Sequence, residues 1–191
     1  MSQNKHTKRE TIKGKEINTL RYGIATRLKV GVAFPAIYSI AMSNLAFQTI
    51  LKTFNDVPDT LAHRFVFPEP LELSKMISPR GQIRSIETSE PMYNYDIIAF
   101  SLNYENDIIN ALQMIDLGNI PLRCDKRSKQ HPLVILGGVV PTLNPEPFAD
   151  FFDIILLGES ESIIPRICKV LSETYSLNRI RYEALESAST L

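Results

Sequence analysis

The sequence predicts an α/β domain with a doubly wound, mostly parallel sheet of about five strands. Short apolar runs bounded by glycine or proline alternate along the chain with segments of helical periodicity. Several of these runs are apolar throughout, which is typical of strands that are covered on both faces. The length of 191 residues suits one α/β domain with tails.

The composition excludes several classes of protein. Hydrophobic residues make up 44% and charged residues 22%, so a packed soluble core is expected. The net charge of +0 and the pI of about 6.8 do not favour binding to nucleic acid. No apolar run approaches the roughly 20 residues that span a bilayer, and the polar N-terminus lacks the apolar stretch of a signal peptide. We therefore expect a cytoplasmic protein that binds neither nucleic acid nor membrane.

The cysteines and histidines do not form a metal-binding pattern. Cys124 and Cys168 are far apart and belong to no CxxC or CxxxCxxC motif. Cys168 falls on an apolar helical segment, which favours a role in core packing. No histidine has another ligand at metal spacing. The sequence therefore predicts no metal site, no iron–sulfur cluster held by this chain alone, and no catalytic residue.

The first half of the chain begins with a polar, lysine-rich stretch over residues 1–20, which we interpret as a flexible arm before the α/β domain at 21–175. A strand is predicted over 28–34, and Ser39 is the expected N-cap of a helix over 40–54. A second strand over 61–67 precedes a short helix at 72–77 and a small strand at 82–86. The apolar face of the long helix is assigned to Ile40, Phe47, Ile50, Leu51 and Phe54.

The second half of the chain begins with a strand over 95–101, followed by a helix that starts at Asn106 or Asp107 and ends before Gly118. Its buried stripe is assigned to Ile108, Ile109, Leu112 and Ile115. Two apolar strands, 133–136 and 154–157, flank a proline-rich turn at 141–147. A helix over 160–175 precedes a weakly patterned tail at 176–191.

The glycines that follow the last two strands mark a candidate site. In open parallel sheets, ligands bind beyond the carboxyl ends of the strands. Gly137, Gly138 and Gly158 occupy that position and would let backbone approach a ligand closely. Tight turns are the competing interpretation, because isolated glycine pairs are weak motifs. Neither GxGxxG nor GxxxxGK[ST] occurs, so nothing supports a nucleotide-binding loop.

An ordered series of short stretches carries a resemblance to a known family. The stretches are Arg21-Tyr22-Gly23, Val32-Ala33-Phe34-Pro35, Tyr38 with Met42-Ser43-Asn44-Leu45, Arg64-Phe65-Val66-Phe67-Pro68, Phe100 to Glu105, Asp116 to Leu122, Pro132 to Pro147, and Gly158-Glu159-Ser160-Glu161. In this order and spacing they resemble the N-terminal part of an uncharacterised family of radical S-adenosylmethionine (radical SAM) proteins with a B12-binding domain. The resemblance covers residues 21–172.

The resemblance implies a flavodoxin-like, B12-binding (Rossmann-like) fold with cobalamin over the carboxyl edge of the sheet. The positions that match this edge are Phe34, Pro35, Tyr38, Met42, Ser43, Asn44, Ser101, Leu102, Tyr104, Glu105, Gly137, Gly138, Asn144, Glu146, Gly158, Glu159 and Glu161. A ring ligand needs a flat apolar bed and polar groups for its amide rim, and this mixture supplies both.

The chain departs from the family pattern in three respects. Ala41, Ala46 and Ser160 stand where the family prefers glycine, and their β-carbons would crowd a close ligand. The cobalt-ligating DxHxxG motif of B12 mutases is missing. The CxxxCxxC motif of the radical SAM domain is missing too, so we do not expect activity from this chain alone.

Three functions remain open at this stage. The resemblance implies a truncated or split cobalamin-binding-type module whose partner is a separate radical SAM catalytic domain or subunit. The glycine departures favour a vestigial α/β protein-interaction domain that no longer binds a cofactor. A hydrolase or transferase that uses Glu105, Glu146, Glu159 or Glu161 ranks last, because no histidine or activated nucleophile accompanies these carboxylates. Glu159 and Glu161 also suit the positive end of the helix dipole.

Overall fold

The computed structural model describes residues 28–70, 73–74 and 82–176. The described strands are β1 Leu28–Phe34, β2 Thr60–Val66, β3 Ile97–Ser101, β4 Leu133–Gly137 and β5 Ile154–Ile155. They form a five-stranded sheet in the order β2, β1, β3, β4, β5, in which all neighbouring pairs are parallel. This arrangement confirms the predicted doubly wound α/β fold, and the strand order is that of flavodoxin-like proteins.

Helices cover both faces of the sheet, as the continuous apolar strands require. The described helices are α1 Tyr38–Ser43, α2 Leu45–Asp56, α3 Asp107–Leu117, α4 Val139–Leu143 and α5 Ser160–Ser176. Helices α2 and α5 pack on one face, and α3 packs on the other. The domain therefore has three layers and two cores.

The first core lies between the sheet and the helices α2 and α5. Phe47, Leu51 and Phe54 of α2 contact alternate residues of β1. Cys168 of α5 is buried in the same core, which confirms its predicted packing role. Burial raises the pKa of the Cys168 thiol to about 12, so this cysteine is protonated and unreactive at neutral pH.

The second core lies on the opposite face, beneath α3. Its helical contribution comes from Ala111, Met114 and Ile115, which pack on β3 and β4. The predicted stripe of this helix is wrong at Ile109, which is 68% exposed. The reason is helical geometry, because a helix turns about 100° per residue and residue 109 lies well off the line through 108, 111 and 115.

The predicted helix over 40–54 is wrong in its first part. The chain forms two helices that meet at Asn44, whose extended backbone ends α1 and begins α2. The Asn44 side-chain Oδ1 accepts a hydrogen bond from the Phe47 amide at 2.9 Å, so Asn44 is the N-cap and Ser39 lies inside α1. Ile40 consequently points away from the core and is exposed.

Three further boundaries differ from the predictions. The predicted strand over 95–101 is shorter, and β5 contains two residues. Helix α4 occupies part of the stretch predicted as a proline-rich turn. Four segments of the sequence analysis lie wholly or mostly outside the described residues. They are the predicted arm at 1–20, the stretch Arg21-Tyr22-Gly23, the predicted helix at 72–77 and the tail beyond Ser176.

A strap formed by residues 82–95 covers the outer edge of β2. The predicted strand at 82–86 is reduced to one antiparallel bridge between Arg84 and Pro91. Within the strap, the Ile86 amide donates to the Arg64 carbonyl at 2.9 Å. The Glu87 carboxylate accepts from the Arg64 amide at 2.8 Å and from its Nε at 2.5 Å. The strap thereby satisfies backbone groups that an open edge strand would expose.

A buried arginine fixes the amino-terminal side of the sheet. The Arg127 guanidinium donates to the carbonyls of Pro121 and Leu122 at 2.8 Å each, and to that of Phe151 at 2.7 Å. It also donates to the Asp153 carboxylate at 3.0 Å, which accepts from the Val134 amide at 2.7 Å. This Arg127–Asp153 clamp ties two long connections to β4.

His63 makes stability dependent on pH. Its Nδ1 lies 2.7 Å from the Tyr95 hydroxyl in the buried contact between β2 and the strap. Burial lowers the pKa of His63 from its ordinary 6.5, although Glu87 and Glu90 act in the opposite direction. Below about pH 6.5 the unfolded chain takes up a proton that the folded chain resists, so stability falls as the pH falls. We expect the urea midpoint to drop between pH 8 and pH 5.5, and to drop less in His63→Gln. Equal drops in both proteins would contradict the prediction.

Of the helices in the described ranges, none combines the length and apolar character needed to cross a membrane.

Candidate ligand-binding edge

The carboxyl edge of the sheet has its topological switch point between β1 and β3. From β1 the chain continues into α1 and α2 on one face, whereas from β3 it continues into α3 on the other face. Diverging connections of this kind open a crevice between the two strand ends. The Asn110 Nδ2 of α3 donates to the Pro35 carbonyl at 3.0 Å across this crevice. The sequence analysis missed Asn110, because one amide within a helical pattern carries no signal of a long-range contact.

The predicted residues that follow β1 are largely engaged in packing. Phe34 and Pro35 are buried, and the Phe34 and Phe47 ring centroids lie 5.3 Å apart. Met42 is half-buried, and its Sδ accepts from Arg64 Nη1 at 2.9 Å. Ser43 is exposed and donates to the Ile40 carbonyl at 2.8 Å. Tyr38, also half-buried, and the helix-capping Asn44 complete this group.

The predicted residues that follow β3 divide into a buried pair and an exposed pair. Ser101 and Leu102 are buried at the strand end. Tyr104 is 71% exposed, and Glu105 is also exposed. Tyr104 therefore presents an aromatic ring to solvent beside the switch point, where ligands of open parallel sheets bind.

The two glycines at the end of β4 have different roles. Gly138 has φ 110° and ψ −178°, which is backbone that only glycine adopts readily. A β-carbon at Gly138 would lie 2.4 Å from the Leu102 carbonyl oxygen. By contrast, a β-carbon at Gly137 meets only the Leu156 β-carbon, at 3.9 Å. Close packing against the Leu102 backbone thus explains why position 138 requires glycine. At position 137 there is room for a side chain.

The remaining predicted residues follow β4 and β5 and are exposed. Asn144 Oδ1 accepts from the Glu146 amide at 3.3 Å, which shapes the turn between them. Gly158 has φ 114° and joins β5 to the start of α5. The Glu161 carboxylate accepts from the Ser160 hydroxyl at 3.0 Å, and Glu159 lies beside them. Within the described part of the chain, no group of three His, Cys, Asp or Glu side chains is placed to hold a metal ion.

The three residues that replace the family's glycines lie in different surroundings. Ala41 is fully buried in the first core. Ala46 is exposed on the first turn of α2, and Ser160 is half-buried at the first residue of α5.

Large apolar side chains are exposed along the carboxyl edge. Nine large hydrophobic residues are exposed in the described part of the chain. Those in the segments directly after the carboxyl ends of β1, β3, β4 and β5 are Ile40, Leu45, Tyr104, Val139, Leu143 and Leu157. Apolar side chains concentrated in one region of a surface mark a place where a ligand or another protein binds.

In the described part of the chain, the segments that leave the strand ends are acidic and contain no lysine or arginine. The segments that directly follow the five strands are 35–45, 67–70, 102–107, 138–147 and 156–161. They contain six acidic residues and no lysine or arginine. Burial raises the pKa of one of these acids, Asp107. An edge of this charge disfavours phosphate groups and favours neutral or cationic partners. This pattern becomes visible only when the strand ends are known to share one edge.

These features define an α/β domain of flavodoxin-like strand order with an apolar, acidic carboxyl edge. A model of the N-terminal domain of radical SAM proteins matches residues 46–191. The chain belongs to this family of radical SAM N-terminal domains. The match confirms the radical SAM part of the predicted resemblance, whereas cobalamin binding stays a prediction.

The chain is also similar to part of a longer protein. An uncharacterized protein of Methanocaldococcus jannaschii is 28% identical over 115 residues, which are 60% of this chain and 24% of that protein. The present chain therefore matches less than two thirds of the length of its relative.

Proposed function

We propose that this radical SAM N-terminal domain binds a corrinoid of the cobalamin class in the crevice between β1 and β3. The observation that supports this proposal is the exposed apolar surface at the carboxyl edge, with Tyr104 beside the switch point. A planar macrocycle would cover the Tyr104 ring and remove apolar surface from water. When bound, the corrinoid would supply a cobalt centre for radical chemistry.

The polar groups of the edge suit the periphery of a corrinoid. Corrin side chains end in amides, whose N–H groups donate hydrogen bonds to carboxylate and hydroxyl oxygens. Glu105 provides an exposed carboxylate next to Tyr104, and Ser43 provides a hydroxyl after β1. The positive charge of the cobalt–corrin unit balances the negative charge of cobalamin's single phosphodiester. An acidic edge therefore repels cobalamin less than it repels a dinucleotide, which carries a negatively charged pyrophosphate.

The experiment is a binding titration with hydroxocobalamin. Purified chain is mixed with the corrinoid and desalted, and the visible spectrum of the protein fraction is recorded. We expect stoichiometric retention, and a Kd about tenfold higher for Tyr104→Ala because the aromatic contact is lost. Tyr93→Ala is the matched control, because Tyr93 is an exposed tyrosine that precedes β3 at the opposite edge. No retention by the wild-type chain would contradict the proposal.

A protein-interaction domain without a cofactor is the second candidate. The observation that favours it is the packing of Gly138 against Leu102, which explains this glycine without a ligand. An apolar, acidic edge also suits a protein surface. If the wild-type chain does not retain corrinoid, the result would favour the protein-interaction function.

A further inference from the structure

The Met42 side chain lies where helices α1 and α2 meet strand β2. Its sulfur accepts hydrogen bonds from Arg64 Nη1 at 2.9 Å and from Gln48 Nε2 at 3.5 Å. A thioether sulfur is only a weak acceptor, so two donors directed at one sulfur are poorly matched to the reduced side chain. We propose that Met42 is an oxidation site and that Arg64 and Gln48 bind the oxygen of its sulfoxide. The proposal does not depend on corrinoid binding.

A second partner holds Arg64 in position for this role. The Arg64 side chain is 10% exposed and that of Glu87 is 5% exposed, and the two form an ion pair through Arg64 Nε. The guanidinium group is planar and carries several N–H donors, so Nε bonds Glu87 while Nη1 bonds Met42. A charged donor forms a stronger hydrogen bond with an oxygen than with a thioether sulfur. Arg64 therefore favours the oxidised form of Met42.

Gln48 connects the two helices at the same point. It is half-buried in α2, and its Nε2 also donates to the Met42 carbonyl at 3.2 Å. An amide nitrogen carries two N–H donors, so Gln48 can bond the carbonyl and the side chain of Met42 together. An oxygen on the Met42 sulfur would thus have one donor from β2 and one from α2. Oxidation would tie α1 more firmly to both elements.

Exposure separates Met42 from the other described methionines. Met42 is half-buried, so an oxidant can reach it from solvent. Met92 and Met114 are 0% exposed and lie in the second core. A sulfoxide there would place a polar group among packed apolar side chains, which disrupts a core. Met1 and Met76 lie outside the described residues.

Hydrogen peroxide is the oxidant in this proposal. A lone pair of the sulfur attacks one peroxide oxygen, the O–O bond breaks, and the sulfur is oxidised by two electrons. The proton of the transferred oxygen passes to the leaving oxygen, which departs as water. A dithiol reverses the step through a methionine sulfoxide reductase, with the sulfoxide oxygen leaving as water and the dithiol becoming a disulfide.

Peptide mass spectrometry of the full chain after brief treatment with hydrogen peroxide tests the site. We expect Met42 to gain one oxygen atom at least about tenfold faster than Met92 or Met114, because only Met42 is accessible in the folded protein. The same treatment in concentrated urea is the control. There the three methionines are expected to react at similar rates, since unfolding removes the difference in exposure.

Urea unfolding tests whether the two donors bind the sulfoxide. We expect oxidation of Met42 to raise the urea midpoint by about 0.3–0.5 M, because a charged donor then meets a strong acceptor. Met42→Gln carries an amide oxygen in place of the sulfoxide oxygen and is expected to match the oxidised chain without peroxide. Met42→Leu has no acceptor and is expected to have a lower midpoint than Met42→Gln. Any change that peroxide causes in Met42→Leu measures the effect of the other methionines.

Three outcomes would overturn the proposal. They are oxidation of Met42 no faster than that of Met92 and Met114, a lower urea midpoint after oxidation of Met42, and a lower midpoint for Met42→Gln than for Met42→Leu. Circular dichroism of each variant shows whether the fold is retained. If Met42→Leu does not fold, the oxidised wild-type chain and Met42→Gln still decide between the outcomes. Corrinoid retention is measured separately, and its absence would leave these results unaffected.

Discussion

Replacement of Arg127 by methionine is expected to lower the free energy of unfolding by about 3–5 kcal/mol, because removal of one partner of a buried ion pair leaves the other charge uncompensated. The Arg127 side chain is 0% exposed and that of Asp153 is 2% exposed. The substitution also leaves the carbonyls of Pro121, Leu122 and Phe151 without their guanidinium donor. Equilibrium urea unfolding measures the loss.

Arg123 provides the matched control for this substitution. Its Nη1 lies 3.0 Å from Asp150 on the same side of the sheet, but the Arg123 side chain is 51% exposed. Solvent screens the charges of an exposed ion pair, so Arg123→Met is expected to change the free energy of unfolding far less than Arg127→Met. A loss in Arg127→Met as small as that in Arg123→Met would show that the clamp does not stabilise the fold.

Replacement of Gly138 by alanine is expected to destabilise the protein by about 2–5 kcal/mol, from strained backbone and from steric overlap. The φ of 110° disfavours any residue with a side chain, and the new methyl group would lie 2.4 Å from the Leu102 carbonyl oxygen. The Leu102 backbone cannot move away without losing two hydrogen bonds. Its amide donates to the Gly137 carbonyl, and its carbonyl accepts from the Val140 amide.

Gly137→Ala is the control that shows whether the loss of stability is specific to position 138 or follows from replacing any glycine at this strand end. At Gly137 the new methyl group meets only the Leu156 β-carbon at 3.9 Å, which is ordinary contact. We expect Gly137→Ala to change the free energy of unfolding by less than about 1 kcal/mol. Thermal unfolding of both variants measures the difference. Similar Tm values for the two variants would contradict the structural explanation of Gly138.

The strands and helices were predictable where a local pattern carries them. The run Leu133 to Leu136 is apolar throughout, and β4 forms there. The apolar spacing over 160–175 predicts a helix, and α5 occupies it. Predictions failed where two local preferences competed. Asn44 is a strong N-cap within an apolar helical pattern, and its cap divides the segment into α1 and α2.

The candidate site was predictable only in outline. Glycines after apolar runs indicated the carboxyl edge, and the exposed Tyr104 and Glu105 lie there. The sequence did not distinguish Gly138, which packs against Leu102, from Gly137, which has free space. It also did not reveal Asn110, because the Pro35 carbonyl that it contacts is 75 positions away in the chain.

Local sequence alone therefore determined the alternation of strands and helices, the α/β class and the glycine-marked strand ends, because these depend on the spacing of apolar residues within one segment. The tertiary structure decided the strand order, the strap over β2, the Arg127–Asp153 clamp and the gathering of acidic and apolar residues at one edge. Each of these depends on contacts between residues far apart in the chain, and their free energies appear only when the sheet has brought those residues together.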